Sequence, residues 1–230
     1  MVKQITLAAF ITLSLSGSLM AQVTTDSLQN QVSAIKKDIS SLKKLKVSGY
    51  VQAQFQYADS SGQASVAGGN FASGVDKRFM IRRGRVKFQY TGSPNSKGIT
   101  TSTAVLQIDA TEKGLTLKDA FVKVTDQWTG WVSVTGGLFV KPFGHEIFYS
   151  SSLRESPERA RIIQQLFPGE RDLGAMLTIQ GPKKSGLDWL KLEAGWFNGN
   201  GAPGAGGDVS DFDKKKDFSR SEERRVGKEC

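Results

Sequence analysis

The segment VSGYVQAQFQY, residues 47–57, alternates without a break. Val47, Gly49, Val51, Ala53, Phe55 and Tyr57 fall on one side of an extended chain, and Ser48, Tyr50, Gln52, Gln54 and Gln56 on the other. A period of two sustained over that length requires a strand with one apolar face and one wet face. FMIRRGRVKFQY, residues 79–90, follows the same rule while carrying four cations. Met80, Gly84, Val86, Phe88 and Tyr90 share one face; Arg83, Arg85, Lys87 and Gln89 share the other. Arg82 is the exception, and its charge is expected near a strand end, against phosphate at a membrane surface.

Further candidate strands recur at regular spacing: 102–110, with Val105 as a mismatch, then 118–124, 131–141, 173–181 and 187–197. In 118–124, Ala120, Val122 and Val124 oppose Asp119, Phe121 and Lys123. The total is about seven strands of about 9 to 11 residues, the length that crosses a bilayer when tilted. The connections sort by end. Those at 92–98, 126–130 and 182–186 are short, whereas 58–78, 142–171 and 198–216 are long, with 111–114 the one short member of that set. Aromatic residues near strand ends, Tyr57, Tyr90, Trp128, Trp131 and Trp196, fit interfacial girdles. Lipid cannot hydrogen-bond exposed backbone, so a spanning sheet has to close on itself. The expected fold class is therefore all-β, a transmembrane antiparallel β-barrel preceded by a short coiled-coil helix. The alternative is a soluble antiparallel sheet with one solvated face.

The two ends read differently from the middle. Residues 1–21 have the form of an export signal, with Lys3, an apolar run from Ile5 to Leu15, and small Ala21 before the expected cut. Residues 22–45 read as a periplasmic coiled-coil segment, because Leu28, Val32, Ile35, Ile39 and Leu42 recur at spacings of four and three. Residues 46–219 make up the barrel part. The tail RSEERRVGKEC, residues 220–230, reads as translated sequencing-adapter DNA; setting it aside also removes Cys230, the only cysteine.

Chemistry-bearing motifs are sparse. The single histidine, His145, has Tyr149 where a zinc-protease motif would need a second histidine, and no G-x-S-x-G elbow occurs. GNGAPG, 199–204, lacks a helix to receive a phosphate, and Asp208, Asp211 and Asp213 are too irregularly spaced for a calcium loop. The expectation is no enzyme, no cofactor and no metal. The net charge of +9 points to anionic partners. Nucleic acid is set aside, because the cations are interleaved with a lipid-like face in an exported chain.

The long connection 142–171 is expected to form a basic amphipathic helix, starting at Ser156 and Pro157, with Ile162, Ile163, Leu166 and Phe167 as its stripe. Folded into a lumen, it would set Arg154, Arg159, Arg161 and Arg171 beside the passing solute. With Arg83, Arg85 and Lys87, and with Lys123 and Lys141 on later strands, these residues make up the candidate anion path.

FMIRRGRVKFQYTG, LKDAFVKV, GGLFVKPFGHE, FPGERDLGAML and WFNGNG followed by KKDF, in this order, resemble the phosphate-selective porin O/P family of Bacteroidetes-type bacteria, from about Val47 to Ser219. The resemblance implies a homotrimeric outer-membrane barrel of about sixteen strands, with an inward-folded loop and basic residues along an anion path. It further implies that only an N-terminal part of the barrel is present, in a protein that contacts outer-membrane lipid and passes small anionic solutes, with phosphate as one candidate. Two other readings stay open: a non-conducting scaffold or adhesin barrel, and an exported carbohydrate-binding sheet.

Overall fold

The computed structural model describes residues 27–65, 67–167, 170–182, 185–199, 201 and 215–224. The export signal, the tail from residue 225, and Asp208, Asp211 and Asp213 lie outside them. The chain forms two units, divided after Lys44. The first contains one helix, α1, over residues 27–42. The second is built around a sheet.

The sheet has eight strands: β1 (Leu45–Tyr57), β2 (Lys77–Thr91), β3 (Ser102–Thr111), β4 (Gly114–Thr125), β5 (Val132–Val140), β6 (Arg171–Gln180), β7 (Leu190–Phe197) and β8 (Asp217–Arg224). Each pairs antiparallel with its neighbour in chain order, and the sheet does not close. The all-β class is thus observed, with one strand more than the seven expected. The extra strand, β8, spans the last three residues of the expected barrel part, 217–219, and the first five of the expected foreign tail, 220–224. Residues 92–101, 126–131 and 181–189 connect strands at one end of the meander. Residues 58–76, 112–113, 141–170 and 198–216 do so at the other.

Two irregularities correct the strand reading. In the β1–β2 ladder Gln52 pairs with Arg83 and Ala53 with Ile81, so Arg82 is an extra, bulged residue. A bulge sets two residues against one and reverses the parity beyond it. Phe79 and Ile81 consequently share the apolar face with Gly84 and Val86, Phe79 being 84% exposed, while Met80 turns to the polar face and is buried. Arg82 does not reach toward a membrane surface; it pairs with Glu158 over the polar face. The second bulge is at Lys118, since Gln107 pairs with Asp119 and Ile108 with Leu117.

The two faces of the sheet differ in burial as well as in polarity. Val51, Phe55, Phe79, Leu106, Leu115, Val122, Val134, Leu177, Leu192 and Trp196 are exposed on one face. On the other, Arg83, Asp109, Asp119, Thr135, Asp172, Thr178 and Glu193 are buried. The apolar face loses this character in β8, where Phe218 is followed by Arg220 opposite Ala194, Glu222 opposite Leu192 and Arg224 opposite Leu190.

A small apolar core lies on the polar side. Phe121 meets Phe139 edge-on at 6.0 Å and Phe139 meets Phe197 at 5.4 Å, with Met176 beside them. Glycine makes the room: Gly137 pairs with Phe121, and Gly174 pairs with Phe197. A Cβ on Gly174 would stand 2.6 Å from Cδ1 of Phe197. Phe121, like Val105, was an apolar break in the polar alternation, and both lie on this face.

Candidate functional site

The connection 141–170 lies over the polar face and is tied to several strands. Ser151 joins Tyr50 of β1 through a hydroxyl–hydroxyl bond and accepts from Arg85 of β2 at 2.7 Å. Glu158 receives Arg82 through Nε at 2.6 Å and Nη2 at 2.9 Å, and Arg83 through Nη2 at 2.9 Å. Arg83 also donates to the Pro157 carbonyl at 3.0 Å and to Gln52 at 2.6 Å. At the far end of the connection Glu170 pairs with both Arg159 and Arg171, and Arg171 donates to Asp119 of β4 at 2.8 Å. Two-donor guanidinium contacts of this kind fix orientation as well as energy.

The connection holds two short helices, α2 (His145–Phe148) and α3 (Arg161–Leu166). α3 starts after Ala160, not at Ser156, and its N-cap makes no side-chain hydrogen bond. The expected cap fails because the segment is committed elsewhere: the Pro157 carbonyl is held by Arg83 and the neighbouring Glu158 by two arginines. The stripe also differs from expectation, since Ile162 and Leu166 are exposed while Phe167 packs on Phe143 at 4.5 Å.

Between the connection and the strands is a cavity of about 250 Å³, lined by Arg82, Arg83, Arg85, Lys118, Arg154 and Arg159 together with Asp109, Glu158 and Glu170. The cations outnumber the carboxylates two to one. Glu158 serves Arg82 and Arg83. Asp109 accepts from the Gly84 amide at 2.9 Å and from Arg85 at 3.3 Å, and Glu170 is shared between Arg159 and Arg171. Nε and Nη1 of Arg154 and Nε of Arg159 are buried without a hydrogen-bond partner among the described residues. Buried donors are normally satisfied, so these N–H groups suit an incoming oxyanion. Burial lowers the Arg154 guanidinium below its ordinary value. Arg159 is lowered to about 10, first by burial and then by repulsion from Arg154 and Arg171. At about 10, Arg159 remains charged at neutral pH.

Of the residues expected along an anion path, the structure gathers Arg83, Arg85, Arg154 and Arg159 around this cavity. Arg171 stands beside it, occupied by Asp119 and Glu170. Lys141 lies 3.6 Å from Asp172 and lines a neighbouring cavity with Phe143, Ile147 and Phe167. Lys87 and Lys123 are on the same face, nearer the short connections, paired in register with Gln107 and Thr135. Arg161 is exposed and lines neither cavity. Sequence reasoning missed Arg82 and Lys118, which the two bulges bring in, and the three carboxylates. Their signal was available only as pairs between distant segments, such as Arg83 with Glu158, 75 residues apart.

Among the described residues no group of three or more histidines, cysteines or carboxylates is arranged to hold a metal ion. No helix among them is long and apolar enough to cross a membrane, which leaves strands unaddressed. No family model, no curated protein and no solved structure matches this chain.

Proposed function

We propose that this chain is part of an outer-membrane β-barrel, exported by its N-terminal signal, whose lumen passes small solutes with a preference for anions. The observation that carries the reading is the inverted sheet: large apolar side chains are exposed on one face and charged ones are buried on the other. Exposed apolar surface on this scale is costly in water and favourable against lipid. The open edges at β1 and β8 have unpaired backbone, which lipid does not tolerate, so further strands or further chains complete the barrel. The homotrimer and the phosphate-selective porin O/P kinship implied by the sequence belong to the same reading.

Selectivity on this reading comes from the connection 141–170, which narrows the lumen, and from the excess of cations at the cavity beneath it. Solute moves down its gradient and no bond is made or broken. Planar-bilayer recordings under a salt gradient test both parts. The protein is expected to conduct with an anion-directed reversal potential, and R154E/R159E to move that potential toward cation preference. An absence of conductance favours the scaffold alternative, and an unchanged potential in the variant removes the anion role from these arginines.

A further inference from the structure

We infer that α1 binds α1 of a second copy of this chain, parallel and in register. The inference rests on the membrane reading above, which puts the helices on one side of the membrane. Leu28, Val32, Ile35, Ile39 and Leu42 lie along one side of α1 and all are exposed, Leu42 at 72%. Ser33, Ser40 and Ser41 direct their hydroxyls back onto carbonyls of the helix itself at 2.8, 2.7 and 3.1 Å, so this serine surface has its polar groups satisfied without a partner.

The shape of the apolar side selects the occupant. It is a seam two residues wide in every seven, with Val32 and Ile39 at one core position and Leu28, Ile35 and Leu42 at the other. A helix lying on a lipid surface has a broader apolar face and carries aromatic anchors, and residues 27–44 contain no Phe, Tyr or Trp. A narrow heptad seam is complementary to another helix of the same period.

Charge sets direction and register, and connectivity sets the side. The residues flanking the seam are Gln31 and Asp38 on one side and Lys36 and Lys43 on the other. In a parallel, in-register pair Asp38 faces Lys43 of the second copy, five positions on. In an antiparallel pair the lysine side faces itself, and like charges oppose. α1 ends with Lys43 and Lys44 bonded back to Ile39 and Ser41, and β1 begins at Leu45. With only two residues between α1 and β1, copies embedded in one membrane carry their helices on the same side of that membrane. Two heptads alone are marginal. Confinement of the copies to one membrane raises the effective concentration that lets so short a seam pair.

The test is disulfide trapping in the full chain, in native membranes, on a C230S background that removes the single cysteine of the sequence. I39C, on the seam, is expected to give a cross-linked pair on oxidation, while S33C, on the outer side, stays monomeric. In an antiparallel pair centred on Ile35 the two thiols introduced by I39C would be about 12 Å apart along the helices and could not bond. Adding D38K to I39C is expected to lose the cross-link, and D38K/K43D to recover it. No I39C cross-link in membrane-retained protein, equal cross-linking of S33C, or indifference to D38K overturns the inference. Alkaline extraction separates the two ideas: release of the protein with the I39C cross-link intact sinks the membrane reading and keeps the helix pairing.

Discussion

The polar face of the sheet has two regions built by opposite means. Around β2 and β4 it is charged, and both strands carry an additional residue there, Arg82 and Lys118, each contributing a cation to the same cavity. From β4 to β7 the same face also holds a cluster of rings, Phe121, Phe139 and Phe197. The β4–β5, β5–β6 and β6–β7 ladders run without a register shift, and side chains are left out instead. Gly137, Gly174 and Gly195 lie beneath or beside the rings, and a Cβ on Gly195 would approach Phe197 Cε2 to 2.8 Å. One region makes room for charge by lengthening the chain, and the other makes room for rings by removing atoms. Charged groups tolerate the looser geometry because long guanidinium arms reach their partners; rings packed on backbone depend on a regular pleat.

The largest effect expected from this contrast comes from deleting one residue in each region. Loss of Ala175 from β6 reverses the parity of residues 171–174, turning Asp172, buried on the polar face, toward the apolar one. On the proposed barrel reading, a carboxylate moved to the lipid side costs less than the about 2–4 kcal/mol of an arginine or lysine at a bilayer midplane; added to the loss of the Phe197 packing, it is expected to make this variant fail to assemble. Deletion of Arg82 leaves every other residue of β2 on its present face, because the bulge already counts two residues as one. It is expected to assemble, to lose one cation and to show weaker anion preference. Heat-modifiable mobility of refolded protein on a gel compares the two, and equal failure of both would mean that the bulge is required by the fold.

A smaller contrast separates charge from shape. E158Q keeps its outline and loses the charge that holds Arg82 and Arg83, leaving the buried Arg83 guanidinium uncompensated at a cost of about 3 kcal/mol or more. F197M keeps an apolar side chain of similar bulk and is expected to cost up to about 1.5 kcal/mol. Urea unfolding in detergent measures the overall loss, and protease cleavage near Arg154 and Arg159 reports release of the connection. E158Q is expected to expose those sites and F197M to leave them protected. If F197M is the costlier of the two, the aromatic region is the more demanding one and the assignment is reversed.

The regular half of the molecule was the more legible in sequence. The unbroken alternation of 47–57 set β1 and its faces, and the sorting of connections by end followed from chain order in a meander. The bulges were hidden because an extra residue and a wrong-facing residue leave the same trace in a period-two pattern. Arg82 was therefore read as an outlier with its own destination, and Met80 was put on the wrong face. Val105 and Phe121 looked like noise in the polar stripe, yet Phe121 belongs to the aromatic packing of that face. Four arginines of the cavity were legible as cations on an expected wet surface, but Glu158 was not, since a carboxylate in a long connection gives no local sign of its partner. β8 was unread for a different reason: after Phe218 the face that is apolar in the earlier strands carries Arg220, Glu222 and Arg224.

The smallest effect is expected at the turn joining the two regions, residues 126–131 between β4 and β5. Asp126 accepts from the Thr129 hydroxyl at 2.5 Å, the Trp128 and Thr129 amides at 2.8 and 2.9 Å, and the Trp131 amide at 3.1 Å. The Thr129 hydroxyl, then the Thr129 amide, hold its carboxyl well below the ordinary carboxylate range. A depressed folded-state value means stability that is complete above the unfolded-state value, about 3.9 for Asp, and that is lost as pH falls through the folded one. D126N keeps one acceptor oxygen and loses the charge. It is expected to be slightly less stable than the parent at neutral pH, with the gap closing as the pH is taken below about 4. Unfolding midpoints of the two proteins across that range measure it. A gap that persists in acid would assign the turn's contribution to its geometry and not to the charge of Asp126.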